Sequence, residues 1–166
     1  MDRVLEQWSA ERPDLDVSPM AVIGRMKRLH QLIDAELRRT FATHGLDTPS
    51  FDVLATLRRS GAPYSLTPAA LMRSAMVTSG AITQRLDRLE ARGLVTRTPS
   101  ETDGRVVHVA LSAEGLALID RALPDHVATE HRILAALTAG QRDTLADTLR
   151  DLLNSLGDSS GAGSTR

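Results

Sequence analysis

The sequence contains no cysteine, which excludes disulfides, thiolate metal sites and thiol redox switches together. Aromatic side chains make up only 2% of its 166 residues, so Leu, Val, Ile, Ala and Met must build the core. Of the 20 basic residues one is a lysine, Lys27, a bias that fits a GC-rich bacterial genome and carries no functional information. No apolar run is long enough to span a bilayer. The opening MDRVLEQWSAERPDLD has no hydrophobic region of the kind that directs secretion, so a cytoplasmic location is expected. Also missing are a recognisable Ser, His and Asp catalytic arrangement and a glycine-rich phosphate loop after a strand. No catalytic residue and no cofactor are therefore expected.

What is present is ordinary for a globular protein, with 42% hydrophobic and 25% charged residues. The length suits one domain, or a small domain with dimerisation helices. The net charge of −1 hides a gradient. Residues 1–72 carry nine basic and nine acidic groups, residues 73–105 six against four, and residues 106–166 five against eight. The small positive excess falls in the middle segment, and local sign rather than net charge decides where a phosphate backbone docks.

Along the chain, Trp8 sits in a short amphipathic stretch stopped by Pro13. Val22, Ile23, Met26, Leu29, Ile33 and Leu37 form one apolar stripe, predicting a long helix from Pro19 to about Thr43. Thr48-Pro49-Ser50 opens another, closing near Gly61. Thr67-Pro68 begins a short helix to about Ser74, a capping hydroxyl followed by proline. Thr78 or Ser79 caps the next, which ends at Gly93. Strands are expected at Leu94–Thr98 and Val106–Leu111, and Ser112 caps a helix reaching about Leu123. Pro124 is expected to break or kink that helix. Helical periodicity resumes through Val127, Ile133, Leu134 and Leu137, and a last helix carries Leu145, Leu149, Leu152, Leu153 and Leu156.

Two short helices followed directly by a hairpin make a winged helix-turn-helix. The expected fold is mainly α with a small two- or three-stranded β-wing. It divides into N-terminal dimerisation helices (1–48), a DNA-binding winged helix-turn-helix (49–112), C-terminal dimerisation helices (113–156) and a flexible tail (157–166).

In the second helix of the pair, TSGAITQRLDRLEAR, the residues Ile82, Leu86 and Leu89 share an inward face. The other side offers Ser79, Gly80, Ala81, Thr83, Gln84, Asp87 and Arg88, and Thr78 at the helix start joins Ser79, Ala81, Thr83, Gln84 and Arg88 as DNA-contact candidates. Small residues in the first turn allow close approach to DNA. Thr and Gln bond base edges, and Arg reaches phosphate or guanine. The hairpin tip places Arg105 beside Asp103, which orients its guanidinium for an adjacent, electronegative minor groove.

At these residues a family likeness emerges. SGAITQRLDRLEARGLVTRTPSETDGRVVHVALSAEG, with Asp103-x-Arg105 ahead of LSAEG, resembles the recognition helix and wing of the MarR family of bacterial regulators. The resemblance covers roughly residues 19–156. It implies a homodimer with interleaved terminal helices on a double-stranded, pseudo-palindromic DNA operator, usually a repressor released by a small ligand.

Of the sensing chemistries in that family, thiol oxidation is excluded here. Metal sensing needs clustered ligands, whereas the histidines stand at 30, 44, 108, 126 and 131. No metal site is expected. LEQWSAERPDLD resembles the extra N-terminal helix of a urate-responsive subgroup, and that likeness implies an effector site of Trp8, Asp52, Arg85 and Arg97. In it two guanidiniums bind a planar organic anion, Trp8 covers a face, and Asp52 pairs with Arg97 when no ligand is bound. Urate or another aromatic acid fits. A metal-responsive relative, and a winged-helix module that binds protein in place of DNA, are the alternatives.

Overall fold

The computed structural model describes residues 1–74, 82–99 and 106–158. Its elements are α1 (Asp2–Glu11), α2 (Ser18–Thr43), α3 (Thr48–Arg59), β1 (Ser65–Leu66), α4 (Pro68–Ser74), α5 (Ile82–Ala91), β2 (Val95–Pro99), β3 (Val107–Leu111), α6 (Ala113–Ile133) and α7 (Ala139–Ser155). The three strands form one antiparallel sheet in the order β1-β3-β2, with Arg97 opposite Val109 and Leu66 on Val109's other side. The wing is thus three-stranded, on a mostly helical frame.

The helix starts follow their capping chemistry. Asp47 accepts from the Ser50 amide at 2.9 Å, Thr67 from the Ala70 amide at 3.2 Å, and Ser112 from the Gly115 amide at 2.9 Å. Thr138 and Gln141 close a reciprocal capping box at the start of α7.

The core gathers Phe51, Val53, Leu54 and Leu57 from α3, Leu71 from α4, and Ile82, Leu86 and Leu89 from α5. Val95 and Val109 join from the sheet, and the ends of α2 and α6 contribute Phe41, Ile119 and Ala122. Full burial of one such large side chain is worth about 1.5–3 kcal/mol, so α3, α4, α5 and the sheet are held with the long helices as one unit.

The expected break does not occur. Pro124 neither ends nor divides its helix, because α6 runs unbroken from Ala113 to Ile133. Proline removes the bond to the carbonyl four residues back, at a cost of about 3 kcal/mol. Packing on both sides offsets the loss: Ile119 and Ala122 are fully buried before it. After it, the His126 ring lies on Phe41 and Phe51, and the Thr129 hydroxyl meets that of Thr40 on α2 at 2.7 Å.

The apolar stripes of α1, the first half of α2, and α7 have a different fate. Neither α1 nor α7 has a buried residue, and Val22, Ile23, Leu29, Leu32 and Leu153 stand exposed.

Candidate nucleic-acid interface and ligand site

On α5 the pattern read from the sequence divides as expected: Ile82, Leu86 and Leu89 point into the core, while Thr83, Gln84 and Arg88 are exposed. The other DNA-contact candidates, Thr78, Ser79, Ala81, Asp103 and Arg105, lie outside the described residues. The polar face of α5 also carries Asp87, which is engaged rather than free. Arg97 of β2 donates to it at 2.6 Å and lies 3.4 Å from Glu90, so two ion pairs tie the wing strand to the helix. Strand alternation explains the arrangement, because Arg97 follows the buried Val95 by two residues and shares its face.

That geometry corrects a second expectation. Arg97 is paired with Asp87 and Glu90, not with Asp52. The reason is that α5 packs directly on β2 and offers two carboxylates to the face on which Arg97 sits.

Asp52 has another partner. It is half-buried on α3, where desolvation pushes its carboxyl above the ordinary value. Arg85, then His126 and Arg59, pull it back only in part, and Asp47 adds to the rise. Burial also acts on Asp47, but hydrogen bonds from the Ser50 hydroxyl and amide, with the charge of Arg85, hold it below the usual range. Arg85 therefore leaves the exposed face of α5 and turns toward the start of α3, with its Nη1 buried and without a hydrogen-bond partner. Beside it an open cleft of about 410 Å³ is lined by Asp47, Ser50, Arg88 and Arg92.

Trp8 is not brought to this group. It is exposed on α1 in a surface depression with Val4, Gln7, Ala10 and Glu11, and α1 is anchored to α2 by the Asp2–Arg25 ion pair. The sequence reasoning missed Thr48 and His126, whose buried Oγ1 and Nδ1 likewise lack hydrogen-bond partners. Thr48 read only as a helix start, and a lone histidine two residues after a proline expected to disrupt its helix carries no signal.

The sign of the Asp52 shift gives a first prediction. A carboxyl whose folded value is raised binds its proton more readily folded than unfolded, so its contribution to stability is lost as pH rises through the folded value. Ionised Asp52 thus weakens the fold at neutral pH. Asp52→Asn is expected to raise thermal stability at pH 7 by on the order of 1 kcal/mol. The gain should fade as pH falls through the raised folded value and vanish below the unfolded carboxylate value of about 3.9, where both states are protonated. Melting curves at several pH values check this.

A helix with a polar outer face, seated on a hydrophobic core and tied to a β-wing, defines a winged helix-turn-helix DNA-binding protein. Residues 44–106 match the family model described as MarR family. The chain is 44% identical over 142 residues to the HTH-type transcriptional regulator PecS of Dickeya dadantii, covering 86% of each. Among solved structures it resembles a mutant MarR from E. coli complexed with operator DNA, with TM-score 0.71, 28% identity and coverage of 82% of this chain and 95% of that one. It also resembles Bordetella bronchiseptica BpsR, from a study of how 6-hydroxynicotinic acid regulates its DNA binding, with TM-score 0.72, 23% identity and coverage of 79% and 91%. The chain belongs to the MarR family of DNA-binding transcriptional regulators. These relatives are regulators and not enzymes. No described helix is long and apolar enough to cross a membrane.

Proposed function

We propose that this protein is a repressor that binds a pseudo-palindromic operator as a homodimer and leaves it when a small organic anion binds. The observation that carries the reading is the double role of α5. Its exposed Thr83, Gln84 and Arg88 face outward for DNA, while Arg85 on the same helix faces Asp52. A ligand drawn to Arg85 pulls on the element that reads DNA, which is a two-state device with named contacts. Arg97 passes the movement to the wing through Asp87 and Glu90.

In this reading α5 enters the major groove with Thr83, Gln84 and Arg88, and Thr78, Ser79, Ala81, Asp103 and Arg105, outside the described residues, are the further DNA contacts. Residues 49–112 form the DNA-reading segment, with dimerisation by 1–48 and 113–156. The effector is an aromatic acid, urate among the candidates, and Trp8 joins Asp52, Arg85 and Arg97 once assembly of two chains covers α1. Support comes from relatives: a mutant MarR was solved with operator DNA, and BpsR is regulated by 6-hydroxynicotinic acid.

Fluorescence anisotropy on duplex DNA from upstream of the protein's own coding sequence, at two salt concentrations, tests the reading. Binding should weaken steeply with salt. Arg88→Ala should lower affinity roughly 5- to 150-fold, the range for one phosphate or base contact worth about 1–3 kcal/mol. Urate or 6-hydroxynicotinate should release the wild-type complex. Absence of salt-dependent binding to any duplex would leave a protein-interaction module in its place.

A further inference from the structure

The chain passes twice between the long helices and the DNA-reading segment, and the two crossings lie side by side. The first is the turn from α2 to α3, residues 44–47, in which Gly45 adopts φ +65°. The second is α6, which carries Pro124 in its interior. His44, just past α2, joins them, with its Nε2 2.8 Å from Asp125 Oδ2. Beside them stack the rings of Phe41, Phe51 and His126, one each from α2, α3 and α6.

The contacts of α6 change sides at the proline. Before it, Gly115 lies against the Leu94 carbonyl, and Ile119 and Ala122 join the core around α3 and α5. Asp120 Oδ1 accepts from Arg58 of α3 at 2.7 Å. After it, the Thr129 hydroxyl meets that of Thr40 on α2 at 2.7 Å, and Arg132 lies 3.7 Å from Glu36 of the same helix. Proline has no N–H, so the Asp120 carbonyl lacks the bond from four residues on, at the place where the two sets of contacts divide. A helix bends most readily where its ladder is interrupted. Gly45, left-handed and without a Cβ, leaves the other crossing free to follow. Two adjacent soft points define an axis, and the ring stack is its bearing.

We propose that Gly45 and Pro124 form a hinge on which the DNA-reading segment, with the first half of α6, tilts against the long helices. Pro124 is then a positioning residue that sets how much half-site spacing the dimer tolerates. The inference rests on the homodimer reading above and says how two recognition helices fit one operator. Two-fold partners meet half-sites about one helical turn apart, and each added base pair moves one of them by about 3.4 Å and roughly 35°. A rigid dimer loses contacts at such a mismatch, whereas a hinged one keeps them. The fold gives up one helix bond for this freedom.

The absence of cysteine makes the test direct. Thr96→Cys, on the exposed side of β2, gives each chain one nitroxide label, and electron–electron resonance of the pair reports the spread of distances in the dimer. Pro124→Ala in that background should narrow the spread and raise the melting temperature by roughly 4–8 °C, because the missing bond returns. The DNA probe is the duplex from upstream of the protein's own coding sequence, with and without one base pair inserted at its dyad. Pro124→Ala should lose at least roughly tenfold more affinity from the insertion than wild type does. Gly140→Ala controls for stability alone and should match wild type in both readouts. An unchanged spread in Pro124→Ala, a fall in its melting temperature, an equal loss from the insertion, or the same narrowing in Gly140→Ala would each overturn the hinge. A wild-type particle mass of one chain would bring down the homodimer reading, and the hinge with it.

Discussion

Gly115→Ala is expected to lower the melting temperature of the protein by roughly 6–12 °C, with a loss of about 3 kcal/mol, and to weaken operator binding with it. A methyl group at Gly115 would sit 1.9 Å from the carbonyl oxygen of Leu94 and 2.9 Å from its carbon. These are backbone atoms already committed. The Leu94 carbonyl accepts from the Ser112 amide at 3.1 Å, and the Leu94 amide donates to Leu89 at 2.9 Å. Ser112 also donates its hydroxyl to the Gly93 carbonyl at 2.6 Å while accepting from Gly115. The start of α6 is thus latched onto the turn between α5 and β2, and Gly115 is the point of closest approach. Alanine must force the two apart, which opens the core cluster that Ile119 shares with Leu89 and Val95 and shifts α5 relative to the wing. Gly140→Ala is the matched control, because its added methyl meets nothing within 4 Å. That change should be neutral or stabilising by up to about 1 kcal/mol. Equal losses in both variants would trace the effect to helix chemistry in general and not to the latch.

Gly115 belongs to the LSAEG stretch that first suggested a known family, yet its physical reason was invisible until α6 met Leu94. The same division holds elsewhere. Ile82, Leu86 and Leu89 were legible because helical spacing alone puts them on one face, and that face had only one way to be buried. Thr67-Pro68 and Ser112 were legible because capping is local chemistry. Pro124 misled because the argument from proline is local too, whereas Phe41, Phe51 and Thr40 hold the second half of α6 from other elements. Strand β1 has two residues, too few to show a period, and exists because β3 offers it an edge. At the site, Asp52 and Arg85 were named through resemblance, and their electrostatic coupling is a fact of packing. The partners of Arg97 could be found only once β2 was seen against α5. Thr48 and His126 were missed for a deeper reason. An unpaired buried atom is defined by what does not touch it, and no spacing in a sequence records that.

Ile23→Glu on α2 and Leu153→Glu on α7, made singly, are expected to halve the particle mass and to cost at least about a thousandfold in operator affinity. The proposed homodimer supplies the reasoning. Val22, Ile23, Leu29 and Leu32 on α2 and Leu149, Leu152 and Leu153 on α7 are at least a third exposed in the single chain, with Ile23 at 60% and Leu153 at 49%. Met1, Val22, Met26, Leu29, Leu32 and Leu145 line one groove of about 730 Å³. Contiguous apolar surface of this kind marks an interface. A glutamate there costs the lone chain little, since the position is already in water, but it buries an unpaired charge in the dimer. The effect on DNA then follows from symmetry. A dimer spends two recognition helices on two half-sites about one helical turn apart, so a monomer keeps roughly half the binding free energy. Halving about −11 kcal/mol moves a dissociation constant from about 10 nM to about 100 μM. Sedimentation or light scattering checks the mass against 18.0 kDa for one chain, and anisotropy checks the affinity. Variants that remain dimeric and bind operator normally would move the interface to another face, and variants that become monomeric with affinity intact would show that one recognition helix suffices.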